Sequence, residues 1–454
     1  ASDNTALGSH ALYLNTTGTR NTAVGYEALK ANTTSDDNTA VGRQALLANT
    51  TGNSNTALGK SAMTDSTTGD YNTAVGNNCL LANTTGTENT AIGAFALDAN
   101  TTGSYSTAVG YLALSANTAG ASTAVGHRAL QANTTGNGNI AIGKDSQYTN
   151  TTGQYNISIG YDSLQQSNAS NCVAVGHDAL KLNTVSNNTA VGYNALANNS
   201  TGSQNTALGS YAGEDVTTGQ FNTLIGYTAG RNITTGSNNT VIGHNNLVAL
   251  TSASANVAIG INVMYQATGA NNTCVGNGSG ASLTTGENNT YIGLNAGLSA
   301  STGSNNSCLG KNSSNSSATA SNEVTLGDGN IGSLRCADTS ISSLSDRRDK
   351  TDIVDLPVGL DFINNVRPVK FEWATREGLS AKDGKIRAGF IAQELQEAQT
   401  GSEYLDLVMD ENPDKLEAKQ GKLIPVLVKA VQELSAKNDA LAAEVEQLKS
   451  QLNN

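Results

Sequence analysis

The sequence predicts an all-β repeat rod, a β-roll or β-solenoid of ~17-residue coils. A small α+β domain ending in a coiled-coil helix is predicted to follow it. Three observations predict this. A glycine closes each copy of Asn-Thr-Ala-(Val/Ile/Leu)-Gly at 20 positions from Gly8 to Gly327, and of the 19 intervals 15 are 17 residues and four are 16. Composition breaks near residue 345, with 27 charged residues in positions 1–344 and 35 in the remaining 110, and with all four prolines and Trp373 after the break. Finally, Leu427, Val431, Leu434, Asn438, Leu441, Val445, Leu448 and Leu452 alternate at spacings of four and three, a heptad seam. The expected organisation is a shaft over 1–330 with 20 coils, a linker over 331–344, a folded domain over 345–422 and an associating helix over 423–454.

One coil reads Asn21-Thr22-Ala23-Val24-Gly25-Tyr26-Glu27-Ala28-Leu29-Lys30-Ala31-Asn32-Thr33-Thr34. Two short apolar pieces are joined by turn residues, which leaves room for two or three short strands per coil and fits no 3.6-residue stripe. The recurrent glycine is expected where φ is positive or backbones approach closely. Asn-Thr-Thr-Gly is expected as a turn whose Asn and Thr bond the local backbone. Coils stacked at ~4.8 Å would make a rod roughly 95 Å long. In Thr-Ala-Val both Ala and Val stay small or apolar, as in a strand covered on both faces. One face fills the coil interior, and a neighbouring subunit is the simplest cover for the other. These copies, followed by Ala-Leu or Ala-Gly, resemble the left-handed β-roll heads of trimeric autotransporter adhesins and repeats of phage tail fibres, although the 17-residue period is longer than the usual head repeat.

The position after the repeat glycine is mostly aromatic or polar: Tyr26, Tyr111, Tyr161, Tyr193 and Tyr227, with Arg43, Lys60, Lys144, His127, His177 and His244 between them. Stacking aligns these into a column, a candidate receptor-binding face for a host-surface glycan or protein. Tyr71, Tyr105, Tyr155 and Phe221 form a second column five residues before the glycine. The acidic pairs Asp36-Asp37 and Glu214-Asp215 are adjacent in sequence, so their side chains diverge and offer no acid/base couple of the glycosidase kind.

Net charge is −12, which argues against a grip on nucleic acid by phosphate neutralisation. No run of 18 apolar residues occurs, so membrane insertion by a helix is not expected. The five cysteines form no CxxC, and three of them replace Ala, as buried thiols would. No metal site and no cofactor are expected. The chain opens at Ala1 inside a repeat and shows no signal peptide, so it is expected to be a piece or mature product of something longer.

The most specific motifs lie after the break: Ser345-Asp346-Arg347-Arg348-Asp349-Lys350, then Val366-Arg367-Pro368-Val369-Lys370-Phe371-Glu372-Trp373, then Gly389-Phe390-Ile391-Ala392-Gln393-Glu394-Leu395, then Leu423 to Leu434. Their order resembles the self-cleaving intramolecular chaperone of phage endosialidase tailspikes. That resemblance implies a domain that trimerises, folds the fibre before it and cuts itself off. It implies Ser345 as nucleophile, Lys350 as its base and a cut between Leu344 and Ser345, a single-turnover reaction. A Ser–Lys pair can do this when desolvation frees the amine. Asn438, a polar a position, fixes helix register at a cost in stability. Leu at d with Asn at a favours a parallel dimer; the resemblance implies a homotrimer instead.

The expected function is therefore a homotrimeric fibrous adhesin, in a virion tail fibre or on a cell surface, with no enzymatic activity in the rod. The alternatives are a bacterial surface fibre and a tailspike depolymerase.

Overall fold

The computed structural model describes residues 2–331, 333–335, 345–373, 384–410, 412 and 416–452. It divides into two compact units, Ala1–Leu326 and Gly327–Asn454. The first is a parallel β-solenoid. Its strands run from β1 (Thr5–Leu7) to β20 (Val324–Leu326), one per coil, three residues long except for β15 (Thr240–His244) and β16 (Val257–Ile261). Each pairs in parallel with its equivalent in the next coil, so that Ala23 faces Ala40 and Ile259 faces Val275.

One strand per coil is fewer than the two or three expected. The rest of the coil passes through left-handed backbone at three recurring positions, shown by Tyr71 (φ 56°), Glu27 (φ 56°) and Leu29 (φ 49°). Such residues cannot be extended. Their amides are still satisfied by the next coil, as Leu29 N–H bonds Ala45 O at 3.0 Å and Ala31 N–H bonds Leu47 O at 3.0 Å. Hydrogen bonding along the stack thus continues through the turns without strand geometry. The repeat glycine meets both expectations: Gly25 has φ 135°, and a Cβ there would lie 2.5 Å from the carbonyl oxygen of Gly42.

Strand alternation decides what is inside. The central residue of strands β2 to β19, most often Ala, is buried, while Thr and Val on either side face outward. The left-handed Leu (Leu29, Leu46, Leu80, Leu97) fills the interior, each contributing roughly 1.5–3 kcal/mol of burial. Beside the two largest inward strand residues, Leu224 and Tyr291, that Leu is replaced by Gly. Gly213 and Gly230 border Leu224, and Gly297 lies under Tyr291, whose ring a Cβ would meet at 2.5 Å. The apolar interior forms two clusters, Ala23 to Ala141 and Leu164 to Cys308. Between them lies a buried polar layer. Ser163 Oγ is 3.2 Å from Ser146 Oγ and 3.1 Å from Ser158 Oγ, and Gln147 donates to Ile140 O at 3.1 Å.

Asparagine ladders run beside this core. Asn55 Oδ1 accepts the N–H of Asn72 at 2.9 Å, and Asn55 Nδ2 donates to Gly69 O at 2.8 Å; the pattern repeats from coil to coil. In a second ladder Asn49 Nδ2 donates to Asn32 Oδ1 of the preceding coil and to Gly52 O within its own turn. That local bond is the one expected of the Asn. The Thr behaves otherwise: Thr50 Oγ1 bonds Thr67 O in the next coil at 3.0 Å, because the stacked carbonyl is the nearer acceptor. Past Asn199 the second ladder gives way to Val216, Ile233, Leu250 and Leu283, all buried. Cys79, Cys172, Cys274 and Cys308 are buried free thiols, and burial pushes Cys79 and Cys274 up to about 12. Cys336 lies outside the described residues.

The second unit is a small α+β domain. It holds α1 (Leu360–Asn365), an antiparallel pair of β21 (Val369–Phe371) and β22 (Arg387–Gly389), then α2 (Ala392–Ala398). A short pair of β23 (Val408–Met409) and β24 (Glu417–Ala418) precedes the 29-residue helix α3 (Ile424–Leu452). Its core gathers Phe362, Leu395, Leu405, Leu407, Val408, Leu423 and Val426. Among the described residues no helix is long and apolar enough to cross a membrane.

Candidate functional site

Ser345 and Lys350 are five residues apart, a span that extended chain would stretch to roughly 17 Å. A single 3₁₀ turn over Arg347–Asp349 folds the segment back. Asp346 caps the turn, accepting the N–H of Arg348 at 2.9 Å and gripping the Arg348 guanidinium at 2.6 Å. The hydrogen bonds from Arg348 hold the Asp346 carboxyl below the usual carboxylate range. The turn closes through Asp349 N–H to Asp346 O at 3.2 Å and Lys350 N–H to Arg347 O at 3.3 Å. Lys350 Nζ then donates to Ser345 Oγ at 2.6 Å. The two residues singled out in the sequence are thus in contact, and both are exposed in the single chain. Leu344, the other side of the expected cut, lies outside the described residues.

Residues 345–404 match the family model described as chaperone of endosialidase. Comparison with curated proteins and with solved structures finds no match to the chain. Within the chaperone segment the later motifs each build an element. Val369–Phe371 is β21, with Phe371 edge-on to Trp373 at 5.2 Å. Gly389 closes β22 and Ala392 opens α2, where Glu394 forms an ion pair with Arg367. The match stops short of α3. That helix is tied to the segment by Glu433, which accepts the N–H of Leu360 at 2.8 Å. A Cβ at Gly359 would lie 2.5 Å from the Glu433 carboxylate, so a larger residue there would push that side chain aside. The heptad residues of α3 from Leu427 to Leu452, Asn438 included, are exposed in the single chain.

On the solenoid, the column after the repeat glycine is continuous over many coils. Tyr111 stacks on His127 with centroids 5.5 Å apart, Tyr161 on His177 at 5.0 Å and Tyr227 on His244 at 5.4 Å. His177 meets Tyr193 at 5.4 Å, and Lys144 Nζ lies 4.5 Å over the Tyr161 ring. Tyr26 stands apart, edge-on to His10 at 6.4 Å. Two members were missed in the sequence. Tyr211 bridges Tyr193 and Tyr227, and Phe95 meets Tyr111, each from the left-handed position two residues after the glycine. Aligning the repeats at that position would have found them. Where rings stack, as in Tyr111–His127, Tyr161–His177 and Tyr227–His244, they cover one another's faces and present edges: phenol hydroxyls and imidazole nitrogens. The second column differs. Tyr71, Tyr105 and Tyr155 are more than 60% exposed, and none has a ring neighbour among the described residues.

An ion-pair belt crosses the column at the polar layer. Arg128 grips Asp145 with two bonds of 2.8 Å, Lys144 reaches Asp145 at 2.7 Å, and Lys181 spans Asp162 and Asp178. Burial pushes the Asp145 carboxyl up, but the hydrogen bonds from Arg128 and Lys144 outweigh it and hold the group below its ordinary range.

The outward strand face carries the last feature. Its position before the glycine is Val, Ile or Leu in all 20 coils from Leu7 to Leu326, and the Thr-side position holds no charge in any coil. Leu58, Ile92, Ile142, Ile159, Leu208 and Ile292 are each between 38% and 48% exposed. Side chains like these, a quarter to a half exposed, add up to on the order of 1000 Å², beyond the few hundred Å² that a free surface usually leaves apolar.

Proposed function

We propose that the chain forms the shaft of a homotrimeric fibrous adhesin, a phage tail-fibre or tailspike segment that attaches to a host surface. In this reading its C-terminal chaperone aligns three copies and then cuts itself free at Leu344–Ser345. The observation that carries the reading is the uncharged aliphatic stripe of the solenoid, in a chain whose C-terminal segment matches a chaperone family. A stripe of this area fits a stable interface between copies, and the exposed heptad face of α3 fits the parallel association that would set their register. Near-identical coils slip cheaply, since a shift of 17 residues restores most contacts. A template at one end removes that freedom, and cleavage afterwards makes unfolding hard to reverse.

For the cleavage, the Ser345 hydroxyl proton passes to a neutral Lys350 amine as Oγ attacks the carbonyl of Leu344. The C–N bond breaks, the departing amine of Ser345 takes the proton, and water hydrolyses the ester left on Oγ. A lysine acts as base only where water is excluded, and Ser345 and Lys350 are exposed in the single chain. Covering by a neighbouring copy is therefore part of the mechanism.

Receptor binding is assigned to the edge of the Tyr26, Tyr111, Tyr161, Tyr193 and Tyr227 column, whose hydroxyls and imidazoles suit hydrogen bonding to a glycan or a protein. The location that follows is a virion tail fibre or a cell surface.

The test is the mass of the full chain, native and denatured, beside Ser345→Ala and Ile142→Glu. A trimer that is split at Leu344–Ser345, an intact Ser345→Ala trimer and a dissociating Ile142→Glu are expected. A wild-type monomer refutes the fibre, and an intact wild-type trimer refutes the cleavage alone. Reducing sugar released from capsule or lipopolysaccharide would replace the adhesin with a depolymerase.

A further inference from the structure

We infer that Asp346 is a positioning residue for the proposed cleavage, holding the Lys350 amine on the Ser345 hydroxyl through the turn it caps. The inference rests on the self-cleavage reading of Ser345 and Lys350. Three observations carry it. The turn over Arg347–Asp349 is exposed and buries no residue, so no core packing holds it in shape. A 3₁₀ turn of three residues is weak on its own, having one or two internal bonds to offset the ordering of its backbone. What closes it is Asp346, whose Oδ1 takes the Arg348 N–H at 2.9 Å while its carboxylate binds the Arg348 Nε at 3.1 Å and Nη2 at 2.6 Å. Lys350 follows directly, in extended conformation (φ −121°, ψ 138°), and from there its side chain reaches back to Ser345 Oγ.

Asp346 makes no contact with Ser345 Oγ or Lys350 Nζ among the described hydrogen bonds, so its effect passes through the backbone. Removing a capping side chain costs about 0.5–2 kcal/mol, which is up to roughly thirty-fold in the population of the closed turn. Asn caps as well as Asp. The neutral amide therefore separates the cap from the carboxylate's charge.

The experiment uses the full chain and measures the first-order cleavage rate against pH for wild type, Asp346→Ala, Asp346→Asn and Arg348→Ala. Asp346→Ala is expected to lower the plateau about five- to thirty-fold without moving the inflection pH. Asp346→Asn should stay within about threefold of wild type, and Arg348→Ala should do the same, because the main-chain N–H at 348 still donates to the Asp346 cap. Asp346→Asn as slow as Asp346→Ala, or a shifted inflection in either, would mean that the charge acts on Lys350 and would overturn the positioning role. An unchanged Asp346→Ala would overturn it too.

A second readout does not need cleavage. In Ser345→Cys, the nearby ammonium of Lys350 favours the thiolate and speeds alkylation by iodoacetamide, followed at this peptide by mass spectrometry. Adding Lys350→Ala should remove the acceleration, and adding Asp346→Ala should remove most of it. Acceleration that survives Asp346→Ala refutes the inference whether or not the chain cuts itself. A wild type that never cuts, with the thiol pattern as expected, refutes the self-cleavage reading and upholds Asp346 as the residue that holds the turn. Melting of α3, followed by circular dichroism, confirms that each variant is folded.

Discussion

Asn55→Ala isolates the contribution of the buried amide ladder. The side chain makes three bonds: Oδ1 accepts from Asn72 N–H at 2.9 Å and from Asn72 Nδ2 at 3.2 Å, and Nδ2 donates to Gly69 O at 2.8 Å. Asn55, Gly69 and Asn72 are buried, so water cannot replace the lost partners. Asn72 Nδ2 keeps its bond to Gly86 O, which leaves one backbone donor and one carbonyl unmet. At about 1–3 kcal/mol for each buried group the loss is roughly 2–6 kcal/mol. That is a large fraction of the 5–15 kcal/mol by which folded domains are ordinarily stable. The reverse change exists within the same chain. Ser106 occupies the equivalent rung, and its Oγ is buried with no hydrogen-bond partner. Ser106→Asn should restore the ladder and add about 1 kcal/mol. The assay is urea unfolding followed by far-UV circular dichroism, with Asn53→Ala as the half-exposed control. An Asn55→Ala loss no larger than that of Asn53→Ala would refute the claim that the ladder holds the coils together.

Two further outcomes are expected. Gly297→Ala combines a left-handed backbone (φ 63°) with a contact of 2.5 Å to the Tyr291 ring and should cost about 2 kcal/mol or more. Pairing Gly297→Leu with Tyr291→Ala rebuilds the small-strand, large-turn interior of the earlier coils and should melt above Gly297→Ala. Acid should weaken the solenoid: Asp36 is held below its ordinary range chiefly by the Thr19 N–H, and Asp145 by Arg128 and Lys144. A carboxyl depressed by folding gives stability that is present above its unfolded pKa and lost as pH falls toward the folded one. The melting temperature should therefore drop below the ordinary carboxylate range, less steeply for Asp145→Asn; equal slopes would remove Asp145 from the account.

The coil period, the role of the repeat glycine and the inward cysteines were legible in the sequence because each follows from residue type at a fixed spacing. The left-handed Leu29, Leu46 and Leu80 were not. Leu carries no local signal for positive φ, and only stacking makes that conformation tolerable. The inward Asn residues read as turn formers for the same reason that they succeed inside: a side-chain amide can copy a backbone one. It was stack geometry, absent from any single repeat, that turned Thr50 from a local partner into a bridge between coils. The Ser345–Lys350 contact was legible as a motif, whereas the turn that makes it, and the cap on that turn, needed coordinates. The ring column was half legible. Its tyrosines share one position, but Tyr211 and Phe95 enter from another, and the loss of open ring faces appears only when neighbours are placed.

Since each coil touches only the coils before and after it, the length of this solenoid is set by counting. Deleting or inserting 17 residues changes reach by ~4.8 Å and leaves the same contacts on either side. One exception is the layer of Ser146, Ser158 and Ser163, whose hydroxyls satisfy one another across adjacent coils, with the Gln147 amide bonded to Ile140 O beside them. A cut there would set an unmet hydroxyl against an alanine. Such a shaft can be lengthened or shortened where neighbouring coils share one interior, and that layer is a fixed landmark along it.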